Sequence, residues 1–351
     1  MDKRLLTLLY FFLFLTQNTG CQKMKEQALP EFQVEISHPS NELDITPITD
    51  KIPLLEGDFA ALPYGSTSGS WGWSGKGWTE QYGTPIGADI IYFSRYEDTF
   101  YHLKAGFPID KIKNYMKRAY AQGEASLYTK PISEYQDLGR FQHYGSAENP
   151  YQSFSTLVFG FAPKGMVVVW LRFGIVQIEL GRFQSEIIKD DKELEKKLFS
   201  NLSVSRTEMK EKRFLDISSK QWDDYREKYL WKPIITSENK GLRTFEMNIS
   251  YYNGEAELLL MPWISNAPER LRAIPKELNF VWQSGKNQQY IGRAYFNWEK
   301  TNEIFKKENK GTLEFKISSD NRSFQVLFND KPIPTDSIRI FQSDQKYKDS
   351  Y

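Results

Sequence analysis

Two segments of this chain open on the same dipeptide and close, five residues later, on the same ring. Pro163-Lys164-Gly165-Met166-Val167-Val168-Val169-Trp170 and Pro275-Lys276-Glu277-Leu278-Asn279-Phe280-Val281-Trp282 share the pattern Pro-Lys-x5-Trp. Gly181-Arg182 follows the first tryptophan and Gly292-Arg293 follows the second at nearly the same offset. Pro85 to Tyr92 is a looser third copy, with a proline and an aromatic residue in the matching places. A continuous apolar stretch such as Val167–Trp170 suits a strand covered on both faces. Recurrence of this kind restricts the chain to architectures in which one small unit is used more than once.

Each copy reads as strand, tight turn, strand and helix. In the first, strands are predicted over 87–95 and 99–106 with a turn near Glu97-Asp98. Ile112, Tyr115, Met116, Ala119 and Tyr120 then follow at helical spacing. In the second, the strands are 165–173 and 175–180, with a helix over 190–199 whose Leu194 and Leu198 share a face. In the third, they are 277–283 and 289–296, and Asn297 is a good cap for a helix reaching about residue 307. Trp222, Tyr225 and Tyr229 predict a further helix bounded by Pro233. Asn253-Gly254, between 244–252 and 255–261, suits a type I′ hairpin turn, and Asp320-Asn321 does the same for 313–317 and 324–328. The fold class expected is α+β: mostly antiparallel sheet with covering helices, built from repeated strand-strand-helix units in two related halves. The tryptophans and tyrosines at matched positions are expected in the core.

The N-terminus carries an address. Asp2-Lys3-Arg4 precedes an apolar run from Leu5 to Leu15. As a helix that run spans only about 16 Å, against about 30 Å of bilayer hydrocarbon, so it is a secretory signal and not a membrane span. Thr19-Gly20-Cys21 follows, and Cys21 is the single cysteine. Small-small-Cys after such a run resembles the lipobox of bacterial lipoproteins, in which the peptidase cuts before the cysteine and acyl chains are attached to it. Asn18 departs from the aliphatic residue usual there. Two or three acyl chains, at about 0.8 kcal/mol per buried methylene, anchor a protein stably. The organisation expected is a signal peptide over 1–20, a lipidated tether over 21–55, an N-terminal α+β domain over 56–235 and a C-terminal one over 236–351. Gln22-Lys23 follows the cysteine, so the aspartate that retains lipoproteins at the inner membrane is absent. The address is the outer membrane, with either face open.

Charge narrows the partners. Lys and Arg number 46 and Asp and Glu 45, which gives no cationic surplus for neutralising phosphates, so no nucleic-acid partner is expected. One cysteine excludes an internal disulfide, and three histidines leave little for a metal site. No cofactor and no metal are expected.

Leu157 to Trp170 (LVFGFAPKGMVVVW), the strand Pro85 to Phe93 and the helix start at Phe107-Pro108, taken with the leader, resemble the bacterial lipoprotein family called domain of unknown function 2931. The resemblance covers about residues 50–235 and, more loosely, the C-terminal half, as in longer Bacteroidota members. The motif Phe-Gly-x-x-Pro-x-Gly-x5-Trp is structural in character, and no catalytic residue is carried over with it. Some relatives sit beside secreted lipase effectors of the type VI system, which implies immunity proteins and a lipase-like partner.

Catalytic motifs are scarce. Gly72-Trp73-Ser74-Gly75-Lys76 lacks the last glycine of a serine-hydrolase elbow. Gly75-Lys76 lacks both the earlier glycine and the following hydroxyl of a phosphate loop. His38, His102 and His143 are far apart, and the pairs Glu97-Asp98 and Asp223-Asp224 read as a turn and a solvated helix face. The segment in which binding competes with packing is Tyr64 to Gly83, rich in Gly, Ser and Trp. Trp71, Trp73 and Trp78, with Lys76 among them, form a candidate binding loop, since rigid aromatics supply contact area at little entropic cost. The alternative is a lid whose indoles fold back onto the sheet. The function expected is a lipid-anchored envelope protein that binds a macromolecule without catalysis, effector neutralisation being its sharpest form. Its partners are the membrane, through the acyl chains, and an unidentified protein. The alternatives are an envelope hydrolase acting on glycan or lipid, with carboxylates assembled by the fold, and a structural envelope component.

Overall fold

A computed structural model describes residues 31–64, 70–73, 81–115, 154–173, 175–261, 263–285 and 288–343. Alternating and continuous apolar runs dominate these residues, and strands follow from them. In chain order the first are β1 (Glu31–Ser37), β2 (Ile45–Pro53), β3 (Phe59–Ala60), β4 (Gln81–Tyr82), β5 (Gly87–Ser94) and β6 (Thr99–Gly106). Then come β7 (Phe154–Phe161), β8 (Met166–Phe173), β9 (Val176–Gln184) and β10 (Glu186–Ile187). The second half supplies β11 (Tyr229–Ser237), β12 (Arg243–Tyr251), β13 (Ala256–Leu260), β14 (Arg270–Arg272) and β15 (Pro275–Ser284). It ends with β16 (Gln288–Phe296), β17 (Lys310–Ile317), β18 (Phe324–Phe328), β19 (Lys331–Pro332) and β20 (Thr335–Ser343). The helices are α1 over 109–115, α2 (Lys192–Phe199), α3 (Arg206–Arg213), α4 (Lys220–Asp224) and α5 (Trp298–Glu308).

One ten-stranded sheet, in the order β20-β16-β15-β12-β13-β9-β8-β7-β1-β4, runs through both halves. A five-stranded sheet, β10-β6-β5-β2-β3, packs on its N-terminal part, and another, β14-β11-β17-β18-β19, on its C-terminal part. The pairing is antiparallel except for β1 with β7 and β11 with β17. The fold is therefore α+β and sheet-dominated.

The two cores lie on opposite faces of the shared sheet, and β13 shows it. Leu258 and Leu260 belong to the N-terminal core, whereas Leu259 belongs to the C-terminal one. Side chains alternate along a strand, so Ala-Glu-Leu-Leu-Leu has no solvent face, and all five residues are buried. A third, smaller cluster covers the other face of β7 and β8: Leu43, Trp71, Tyr96, Val158, Val168, Trp170 and Trp222. Glycine makes room for it. A Cβ on Gly160 would stand 2.4 Å from the Trp170 ring and 2.8 Å from that of Trp71. After it, Lys164 and Gly165 both take positive φ to turn β7 into β8. The motif from Phe159 to Trp170 is thus a packing device: a gap for two indoles, a tight turn and a buried ring.

Several expectations change. Residues 31–53 are not tether. Phe32, Val34 and Ile36 of β1 and Ile45 and Ile52 of β2 are buried in the N-terminal core. The helix expected to include Tyr229 stops at Asp224, and Tyr229 opens β11, so residue 235 lies inside a strand of the second core. Pro233 sits in that strand and bounds no helix. β14 pairs only with Tyr229–Trp231, so beyond it β11 has an open edge where a missing N–H costs little. Asn253 does not take positive φ; only Gly254 does, and Tyr251 pairs with Glu255, which makes a three-residue loop in place of a type I′ turn. The three hairpins of the repeat also differ in place: β5–β6 lies in the small N-terminal sheet, β8–β9 and β15–β16 in the large one. α5 is capped as expected, Asn297 Oδ1 accepting from the Lys300 N–H at 3.1 Å.

Candidate functional site

The segment from Ser70 to Trp73 is strapped to the sheet where its two halves meet. The Trp73 N–H donates to the Ser70 carbonyl at 2.8 Å, closing a turn. The Gly72 N–H donates to Ser37 Oγ at 2.7 Å. Its carbonyl accepts from Gln177 Nε2 at 2.8 Å and from Arg172 Nη2 at 3.1 Å. Gln177 Nε2 also donates to the Gly254 carbonyl at 2.5 Å, so one buried amide ties the segment to the β12–β13 turn. A Cβ on Gly72 would come 2.7 Å from the Gly254 Cα, and φ is +82° there, so only glycine fits.

Arg172 is the centre of this strap. Its Nη1 donates to Glu35 Oε1 and its Nε to Gln177 Oε1, both at 2.9 Å. Burial lowers the pKa of the guanidinium and the Glu35 carboxylate opposes that, so the pair is one buried ionic unit. The guanidinium lies 4.2 Å from the centre of the Trp73 ring. Trp71 and Trp73 therefore have different fates. Trp71 is buried, edge-on to Trp170 at 5.0 Å. Trp73 is half-buried, stacked on a fixed cation and held by its own N–H on the Ser70 carbonyl. Removing the whole loop would take Trp71 from the core along with Trp73 from the surface. Cys21, Lys76 and Trp78 lie outside the described residues.

Trp73 overlooks a cleft of about 180 Å³ lined by Ile175, Asn248, Ile249, Ser250, Ala256, Glu257 and Asn279. That is below the about 300–1,000 Å³ usual for small-molecule pockets. Its one carboxylate is engaged. Glu257 Oε2 accepts from Arg272 Nε at 2.8 Å and from the Tyr251 hydroxyl at 2.7 Å. Its Oε1 accepts from Arg272 Nη2 at 2.9 Å and from Arg270. Burial alone would push the carboxyl up, but the two guanidiniums and the phenol outweigh it and hold its pKa at about 2. Tyr251 is pushed well above its ordinary value, by burial first and by Glu257 next.

The other titratable candidates are engaged as well. His38 is buried, and burial with the nearby Arg95 charge lowers its pKa to about 4. His102 meets Asp89 at 2.6 Å, and His143 lies outside the described residues. Glu97 accepts from the Lys164 N–H and the Ser94 hydroxyl, and Asp98 pairs with Arg206. Asp223 pairs with Arg182 and Asp224 with Lys220. Among the described residues no group of three His, Cys, Asp or Glu is placed to hold a metal ion. No helix among them is long and apolar enough to cross a membrane.

The sequence reading missed Glu35, Arg172, Gln177, Glu257 and Arg272. No motif joins them, since Glu35 and Arg172 are 137 residues apart. One signal was present: Arg172 interrupts the apolar run MVVVWLRF and Glu257 the run AELLL, and a charge inside a buried strand needs a partner. A family model described as "Protein of unknown function (DUF2931)" matches residues 21–229. No curated protein and no solved structure matches the chain.

Proposed function

The chain belongs to the DUF2931 family, whose function is unknown, and on that premise we propose that it is a lipid-anchored binding protein of the cell envelope that works without catalysis. Acylated Cys21 tethers it to the outer membrane, and the surface around Trp73 holds a protein partner. Neutralisation of a secreted, lipase-like effector is the specific form of this reading.

The observation that supports it is Trp73 itself. A half-exposed indole, stacked on a buried guanidinium and fixed through its backbone, is ordered before any partner arrives. It loses little entropy on binding, which is what makes tryptophan an effective interface anchor. The hydrolase reading receives no such support at this cleft. Glycosidic cleavage needs one carboxyl group that keeps its proton near neutrality, and Glu257, with a pKa of about 2, is locked between two arginines.

The test is to crosslink the full chain in its native cells and identify what co-purifies with it. One stoichiometric protein, lost with Trp73→Ala while the variant keeps the wild-type unfolding midpoint, supports the reading. Recovery of no protein partner refutes it and redirects the search to cleavage of glycans and lipids.

A further inference from the structure

A charge taken partly out of water needs a counter-ion. Arg172, Arg182, Arg226, Arg270 and Arg272 each meet a carboxylate. Among the described residues, Arg293 of β16 and Arg339 of β20 meet none. They face each other across the two strands, where like charges destabilise a pair. Each guanidinium rests on a ring instead, Arg293 5.4 Å from the centre of Phe341 and Arg339 5.6 Å from that of Tyr295. Arg293 Nε is buried without an acceptor. The two arginines lie on the face opposite the C-terminal core, since their neighbours Ala294 and Ile340 pack into that core. Arg293 also pairs with Asn279, and Asn279 with Asn248, so four polar side chains cross β20, β16, β15 and β12 in one row. Glu277, diagonal to Arg293, accepts from Asn279 Nδ2 at 3.0 Å, while Asn279 Oδ1 is buried without a donor.

We propose that Arg293 and Arg339 form a binding site for a phosphate monoester. Facing residues of an antiparallel pair have Cα atoms about 4.5–5.5 Å apart, so two arginine arms rooted there reach one oxyanion between them. Each guanidinium offers a fork of N–H groups that matches phosphate oxygens, and such charge-assisted bonds are the strong ones. The balance of charge selects the ligand. Two uncompensated cations call for a dianion. A phosphate monoester carries about −1.5 to −2 near neutrality, whereas a carboxylate supplies a single charge. The alcohol half of the ester lies toward Asn279, whose Oδ1 accepts from a hydroxyl. The site goes beyond the protein-partner reading and does not depend on it. Asn279 lines the cleft beneath Trp73, and the two arginines stand one and two strands farther out. Soluble esters and lipid headgroups share this phosphate chemistry.

Calorimetric titration of the full chain in neutral detergent tests the site with two probes, glycerol 3-phosphate as a soluble ester and short-chain phosphatidic acid as a headgroup. One saturable site per chain is expected for at least one probe, and the tighter of the two names the source. Arg293→Gln and Arg339→Gln should each weaken it at least about tenfold, as loss of a charged hydrogen-bond donor does. Arg322→Gln, exposed on the turn between β17 and β18, and Trp73→Ala should leave it unchanged. Stability gives a second readout. Without ligand, Arg339→Gln removes the like-charge contact, so its unfolding midpoint should equal or exceed that of the wild type. Ligand should raise the wild-type midpoint and not that of the variant. Saturation by neither probe, acetate bound as tightly as the ester, or an equal loss in Arg322→Gln overturns the proposal. So does a lower midpoint of ligand-free Arg339→Gln, which would show the arginine to be a structural partner within the chain.

Discussion

Replacing Glu257 by glutamine tests the account of the buried charges at the junction. Gln keeps the shape and removes the charge, leaving Arg272, 3% exposed, and the nearby Arg270 without their counter-ion. Breaking a buried pair from one side costs about 3–5 kcal/mol. The proton linkage gives a second route to the magnitude. The carboxyl moves from 4.5 to about 2 on folding, and each unit is worth about 1.4 kcal/mol, so the charge contributes about 3 kcal/mol. A carboxyl whose folded pKa is depressed stabilises fully above its unfolded pKa, and the contribution is lost as pH falls through the folded one. The difference in stability between wild type and E257Q should therefore be about 3 kcal/mol at pH 7, begin to shrink below about pH 4.5 and approach zero near pH 2. Urea unfolding of both chains at pH 7, 5, 4 and 3, followed by tryptophan fluorescence, measures it. Two cores can unfold in two steps, and the step that contains the C-terminal core is the one to compare. A cost below 1 kcal/mol at pH 7, or a difference that does not change with pH, would refute the reasoning.

His38 governs a neighbouring window. Its folded pKa of about 4 lies below its ordinary 6.5, so the unfolded chain binds the proton more readily, and stability falls as pH drops from about 6.5 to 4. His38→Gln should flatten that part of the same urea series and leave the region below pH 4 as it was. Trp71→Ala should cost about 3–5 kcal/mol, as removal of a core aromatic does, whereas Trp73→Ala should cost far less and act on partner capture; comparable losses of stability would contradict the division drawn between them. Gly160→Ala should destabilise by about 1–3 kcal/mol through overpacking against Trp170 and Trp71, and a normal unfolding midpoint would show that the two rings can yield. Cys21→Ser should release the chain from the membrane fraction, with the mass of acyl chains lost from the N-terminal peptide; an unacylated Cys21 in the wild type would remove the tether from the proposed function.

Local order was legible because local chemistry carries it. Alternation and turn residues mark β5–β6, β8–β9, β15–β16 and β17–β18, and Asn297 marks the start of α5. The continuous apolar run before Trp170 marks a strand buried on both faces. Those features depend on neighbours two to four residues away, which any reading of the chain contains. β1 falls in the segment expected as tether because nothing beside it in sequence shows that its partner is β7, more than a hundred residues on. Tyr229, the first residue of β11, falls in the expected helix because Trp222, Tyr225 and Tyr229 have helical spacing, yet pairing with β14 and β17 and burial of Trp231 outweigh that local pattern.

The junction shows the same division. The sequence presents Trp71 and Trp73 as equals in one glycine-rich loop. Folding buries one ring against Trp170 and leaves the other on Arg172. The sequence by itself determined the hairpins β5–β6, β8–β9, β15–β16 and β17–β18 and the capped start of α5. The tertiary structure alone decided that one sheet joins both halves, that its two cores lie on opposite faces and that Glu35 meets Arg172 and Glu257 meets Arg272. The physical reason is that alternation specifies which face of a strand is apolar but not which strand will cover it. A buried charge likewise states its need for a counter-ion without naming one, and that choice is made only when distant segments settle into register.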